Sequence, residues 1–280
     1  MDLVTVTCAL DLPAVILQAH SIDQFVTNPV THWIILEDDV LPSEQWQQDL
    51  APFYTRHNLK LINNIALTQD LPGWQRQQIL KFMIAEHITV HDYLILDSKN
   101  FFIKSTNLDQ WPIAEGCHDV TDTPPGCLFH PWMEYLTHNY NLPVYKHHWN
   151  SITPYRVKTE TVKQILKLNL PEMFKNSPST WISEFLLYSR FVNQQNITPG
   201  TKVANFYFNS QEMPTIDQLE AIRHDLDLVM LSVHRSAIFG NPNMAQDFNK
   251  LILMRDFLIS VNLNRSIINT ALVKNQSLFS

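Results

Sequence analysis

Short apolar runs alternate with helical segments through the first hundred residues, and that alternation constrains the fold more than any other feature of the chain. Leu3–Leu10, His32–Leu36, Leu59–Ile62 and Tyr93–Leu96 are short and rich in β-branched or aromatic residues. Between them lie Pro13–Phe25, Ser43–Arg56 and Gly73–Ile88, each long enough for a helix. Pro13 opens its segment, where a missing N–H costs least. Leu80, Met83, Ile84 and Ile88 fall on one face of the third segment. Pro52 makes the end of the second uncertain. Strand, helix and strand in strict succession predict a mostly parallel sheet flanked by helices, an α/β fold. Ligands on such sheets sit outside the carboxyl ends of the strands. Two runs end in acids there: Glu37-Asp38-Asp39 and Asp97.

Between about Trp111 and Tyr155 the alternation dissolves into a stretch dense in Pro, His and Trp. A long ordered loop inside a domain is usually functional. Beyond it the pattern predicts helices at Lys158–Leu168 and Ser179–Gln195 and a strand at Val203–Phe208. A capped helix follows at Thr215–Asp225, where Thr215 pairs with Gln218. A strand at Leu228–Val233 and a long helix at Met244–Ser260 complete the reading. The chain reads as one domain over 1–262. Residues 1–105 and 106–262 form its two halves, with 263–280 a loosely packed polar tail.

Composition removes several function classes. The 20 basic and 27 acidic residues give a formal charge of -7, which leaves no basic face for nucleic acid. Only 5 glycines are present, without the cluster that a Walker loop or dinucleotide fingerprint needs. Cys8, Cys117 and Cys127 are odd in number and irregular in spacing, which favours a reducing, cytoplasmic compartment. No apolar run reaches the length of a membrane span, so membrane contact would be peripheral.

Asp97-Ser98-Lys99-Asn100 directly follows an apolar strand. A carboxylate there can meet a ribose hydroxyl or a divalent cation, and a lysine two residues on can neutralise phosphate. The alternative is an ordinary solvated turn. Asp39, in the earlier acidic group, is a weaker candidate for a ribose or base edge. Arg76 and Lys81, read as the polar side of the third helix, are possible phosphate partners. Of 12 histidines, several crowd the central stretch (His118, His130, His138, His147, His148), but no pair has the i, i+4 spacing with an intervening Glu that marks a zinc protease. His234 closes a late strand and offers a nitrogen to a metal or phosphate. Glu184 lies among Trp181, Phe185, Leu186 and Tyr188, where partial burial would raise its pKa toward that of a general base. The bland alternative is a surface pair with Arg190 or a nearby amide. Asp119, Asp122 and His234 are the next candidates for a base.

Several stretches, in order, resemble a largely bacterial, mostly uncharacterised family of glycosyltransferase-like proteins of the GT-A type. They are SIDQFVTNPVTHWIILEDDV, GWQRQQILKF, YLILDSKNFFIK, TPYRVKTETVKQIL, WISEFLLYSRFV and SVHRSA, spread from about Ser21 to Ala237. GWxxQQxLK followed by YLxLDxxxxF is the most specific pair. The resemblance implies a Rossmann-like GT-A fold, a nucleotide-sugar donor and a saccharide or glycoconjugate acceptor, as in surface polysaccharide synthesis. It makes 1–105 the nucleotide-binding half and 106–262 the acceptor-side half, with the stretch from Trp111 to Tyr155 shaping the acceptor cleft, since aromatic faces suit sugar rings. It puts Asp97 at the first acid of an Asp-x-Asp motif that holds Mg²⁺ or Mn²⁺ on the donor diphosphate. Lys99 replaces the second acid. That change argues against strong metal dependence and leaves Asp97 with His234 as the metal-ligating pair. Asp97, Lys99 and Asn100 then fall to the donor side, and Glu184 to the acceptor side as the base. Two other classes stay open: a non-catalytic nucleotide- or saccharide-binding domain, and a metal-dependent hydrolase or nucleotidyltransferase on a related sheet.

Overall fold

The computed structural model describes residues 1–37, 40–63, 71–110, 120–122, 128–143, 147–149, 153–179, 181–192, 203–206, 217, 220, 221, 224, 228–233, 258–260, 263–269 and 271. The first half follows the predicted alternation. Strand β1 (Asp2–Thr7) leads to α1 (Leu12–Phe25), β2 (Thr31–Leu36), α2 (Ser43–Leu50), β3 (Asn58–Asn63), α3 (Gly73–Met83) and β4 (Asp92–Leu96). The proline at residue 52 tightens the end of α2 into a 3₁₀ turn over Ala51–Phe53. Then come β5 (Asn100–Phe102), β6 (Val120–Asp122), α4 (His130–Tyr140), β7 (His147–Trp149), β8 (Tyr155–Lys158), α5 (Thr159–Ile165), α6 (Leu170–Lys175), α7 (Glu184–Ser189), β9 (Val203–Phe206) and β10 (Met230–Val233).

The main sheet has the order β3-β2-β1-β4-β8. Its first four strands are parallel and β8 runs antiparallel beside β4. Alternate residues of each strand feed opposite faces, as a pleated strand requires. Leu3, Ile34, Leu94 and Leu96 join α1, α2 and Phe101–Phe102 in one core layer. Val4, Ile35, Tyr93 and Ile95 join α3, α4, α6 and α7 in the other. A smaller sheet, β5-β10-β9, places Ser232 opposite Asn100, so β10 ends beside the turn that follows β4.

Three expectations are corrected. The central stretch contains an ordered helix, α4, with Pro at its start and Trp132, Met133 and Leu136 buried. Asn141 ends it in the left-handed conformation, φ 51°. The helix expected over Ser179–Gln195 is shorter: α7 starts at Glu184 because the Ser183 side chain caps it through Leu186 N. The tail is not loose where it is described, since Leu263, Ile268 and Ala271 are buried in the first core layer. Thr215, Gln218 and most of Met244–Ser260 lie outside the described residues. Among the described residues, no helix is long and apolar enough to cross a membrane.

Candidate active site at the carboxyl edge of the sheet

The turn after β4 is held from below by buried polar groups. Asn100 N donates to Asp97 O at 3.0 Å, and Asp97 N donates back to Asn100 Oδ1 at 2.7 Å. Gln18 of α1 donates to the carbonyls of Asp97 (2.7 Å) and Asn100 (3.2 Å). Asn100 Nδ2 donates to Ser232 Oγ at 2.6 Å, tying the turn to β10. Ser98 Oγ donates to Asp11 Oδ2 at 3.0 Å. The support continues inward, because Thr5 Oγ1 donates to Gln18 Oε1 at 2.9 Å. With its proton so used, Thr5 accepts from His32 Nε2 (2.9 Å), leaving His32 Nδ1 to accept from Tyr54 OH (2.6 Å). Burial, reinforced by nearby His57, pushes the His32 pKa down to about 3. The imidazole is therefore neutral and fits this one-directional chain.

Above the turn sits a charged cluster. Lys81 of α3 lies 3.1 Å from Glu184 Oε1 and 3.4 Å from Asp97 Oδ1. Its ammonium also stands 5.2 Å from the centre of the Phe185 ring. The side-chain amide of Gln78, one turn before Lys81, faces the Glu184 carboxylate; oriented with its NH₂ toward that acceptor, as the partners require, it donates at 3.0 Å to Oε1. Glu184 has no exposed surface, and the Lys81 side chain is 7% exposed, whereas that of Asp97 is 44% exposed. Burial pushes the Glu184 pKa up, against the pull of Lys81. Burial opposes the charge on Lys81, but Glu184 and Asp97 outweigh it and hold the ammonium's pKa above its ordinary value. Partial burial likewise works against ionised Asp97; Lys81, Lys99 and a hydrogen bond from Thr153 prevail and lower its pKa. The site is thus a buried Lys–Glu pair whose third member, Asp97, opens to solvent.

A second carboxylate marks the end of β2. Glu37, 6% exposed, takes Arg76 at 3.1 Å and the Gln77 amide, both from the first turns of α3. A Cβ on Gly73 would come within 3.0 Å of Glu37 Oε1, so the glycine lets the helix start against the carboxylate. A negative charge at a helix N-terminus is favourable in itself.

The structure therefore brings Asp97, Lys81 and Glu184 together, with Lys99 beside them. Lys81 is not on a polar outer face of α3 but on its buried side. Arg76 is engaged by Glu37. Asn100 has no exposed surface and spends its side chain on the turn, so it shapes the site from inside. Glu184 would meet an acceptor only after Gln78 or Lys81 moved aside. Asp39, His234 and Asp119 lie outside the described residues, and Asp122 is described only as part of β6. Sequence reasoning missed Gln78, although its i, i+3 spacing from Lys81 is visible, and missed Gln18, Thr5 and His32. For Mg²⁺ or Mn²⁺ the described residues offer one solvent-open carboxylate, Asp97, flanked by Lys81 and Lys99, while Glu184 is fully buried against Lys81; this set does not by itself fit a divalent cation.

Residues 11–197 match the profile of DUF6492, a family of unknown function. The chain belongs to this family. No curated protein matches it. Among solved structures, this DUF6492 member is similar to the apo form of WbbM, described as a bifunctional glycosyltransferase. The TM-score is 0.52 at 11% identity, over 97% of this chain and 51% of that one. The chain thus spans about half the length of WbbM. It is also similar to the galactosyltransferase LgtC, solved with donor and acceptor sugar analogues (TM-score 0.52, 10% identity, covering 97% of this chain and 100% of that chain). A third is the glycosyltransferase GlyE of Streptococcus pneumoniae TIGR4 (TM-score 0.51, 13% identity, covering 98% and 63%). At these identities the likeness is one of fold: the DUF6492 chain has the GT-A-like α/β architecture.

Proposed function

We propose that the protein is a glycosyltransferase that moves a sugar from a nucleotide-sugar donor to a saccharide or glycoconjugate acceptor, as in surface polysaccharide synthesis. The observation that carries this reading is the solvent-open Asp97 carboxylate at the end of β4, set against buried Lys81 and beside Lys99. Glycosyl transfer develops positive charge at the sugar C1 and negative charge on the departing diphosphate. Fixed cations in a partly dry site stabilise that leaving charge. Lys99 and Lys81 supply it here without a divalent cation. Asp97 holds Lys81 at the rim and accepts from donor hydroxyls. Glu184 and Gln78 hold Lys81 from behind, which makes Glu184 a positioning residue in the described arrangement. A cytoplasmic site of action belongs to this reading and rests on the irregular cysteines.

The test is hydrolysis of nucleotide sugars without acceptor. Slow release of one nucleoside diphosphate, lost in Asp97→Ala, is the expected result. Binding of a nucleotide sugar with no release and no transfer would favour the non-catalytic binding domain instead.

A further inference from the structure

The large hydrophobic side chains exposed among the described residues are Leu10, Val40, Trp74, Leu128 and Trp181. Leu10, Val40 and Trp74 follow the carboxyl ends of β1, β2 and β3 in turn. Trp74 and Trp181 touch each other, ring centroids 6.0 Å apart and planes at 69°. Phe129 braces Trp181 from another side at 6.2 Å, edge to face, and Leu128 is its chain neighbour. Trp74 and Trp181 remain 40% and 48% exposed.

Their position ties them to the charged cluster. Trp74, Gln78 and Lys81 stand at i, i+4 and i+7 on α3, which is one face of a helix. Gln78 and Lys81 both meet Glu184. Trp74 meets Trp181, three residues before Glu184. The contact between α3 and the α7 segment is therefore ionic at its inner end and aromatic at its open end. Trp181 is also fixed from below: its N–H donates to Ser179 Oγ (3.1 Å) and its carbonyl accepts from the same hydroxyl (2.9 Å).

We propose that Trp74 and Trp181 form an acceptor subsite that stacks a pyranose ring of a saccharide. This rests on the glycosyltransferase reading and names the part of the surface that its acceptor uses. An indole offers a flat apolar face to the C–H face of a sugar and an N–H to its hydroxyls. A net charge of -7 disfavours the other occupant of exposed tryptophans, an anionic membrane surface.

The experiment titrates the full chain with a panel of neutral and acidic oligosaccharides of two to six units, followed by tryptophan emission and calorimetry. Trp74→Ala, Trp181→Ala and the wild type are compared. At least one saccharide is expected to change the emission of the wild type, and each substitution should weaken its binding at least about tenfold. Thermal shifts with nucleoside diphosphates should be the same in all three proteins. Unweakened saccharide binding in both variants, or no binding by the wild type across the panel, overturns the proposal. So does binding to phosphatidylcholine–phosphatidylglycerol vesicles that the substitutions abolish, which assigns the patch to lipid. Loss of nucleotide binding in Asp97→Ala is read separately, so failure of the subsite and failure of the transferase reading are distinguishable.

Discussion

Two strand ends at the same edge of the sheet carry a carboxylate facing a cation from α3, and they differ in what they leave exposed. After β2, Glu37 is closed over by Arg76, Gln77 and the start of the helix, and keeps 6% of its side chain exposed. After β4, Asp97 meets Lys81 and still shows 44%. The helix-facing partner decides the outcome. Arg76 and Gln77 lie in the first turns and reach Glu37 directly, so that pair fastens the helix to the sheet. Lys81 lies deeper and is shared with Glu184, which draws the ammonium inward and leaves Asp97 only partly satisfied. Acid residues at strand ends are thus not equivalent marks of function; the one left open by its partner is the one that can meet a ligand.

The largest expected effect breaks the buried side of that comparison. Glu184→Ala leaves Lys81 buried with only Asp97 as counter-charge. Removing one partner of a buried pair costs about 3–5 kcal/mol, and chemical denaturation should show a loss in that range. Next is Asp97→Ala. The fold should persist, while turnover on a nucleotide sugar falls about 10²–10³-fold, the loss typical of one charge-stabilising group. Glu37→Gln tests the other end: about 1–3 kcal/mol of stability should go with the ionic contact to Arg76, while nucleotide binding stays as in the wild type.

The smallest effect is on pH dependence, and the two carboxylates carry opposite signs. The Asp97 pKa is lowered in the folded state, so its contribution is present above the unfolded aspartate range and is lost as pH falls through the folded value. The Glu184 pKa is raised, so stability declines as pH rises from about 4.3, the unfolded glutamate value, through the folded one. Glu184→Gln should remove that decline in denaturation curves taken between pH 4 and 8, and Asp97→Asn should not.

The strands were readable because short apolar runs bounded by acids have few other ways to fold, and Asp97 was readable because it ends one of them. Helix α4 was hidden by its composition: Pro131 and the nearby His and Trp suggest a loop, yet a proline in the first turn and Trp132, Met133 and Leu136 in the core suit a helix. The sequence places Lys81 on the polar side of α3, where lysines are mostly exposed. Only a contact across a hundred residues, to Glu184, explains why it is buried. The chain from Tyr54 through His32, Thr5 and Gln18 joins residues that look like ordinary strand and helix positions when taken one at a time.

The central claim is that the β4 end, and not the β2 end, faces the donor. Thermal shifts with a panel of nucleoside diphosphates and nucleotide sugars test it most directly, because a ligand that binds only the folded state stabilises it by mass action. The account predicts that one nucleotide raises the melting temperature of the wild type and of Glu37→Gln, and leaves that of Asp97→Ala unchanged. An equal shift in Asp97→Ala, or a shift lost in Glu37→Gln alone, would contradict it.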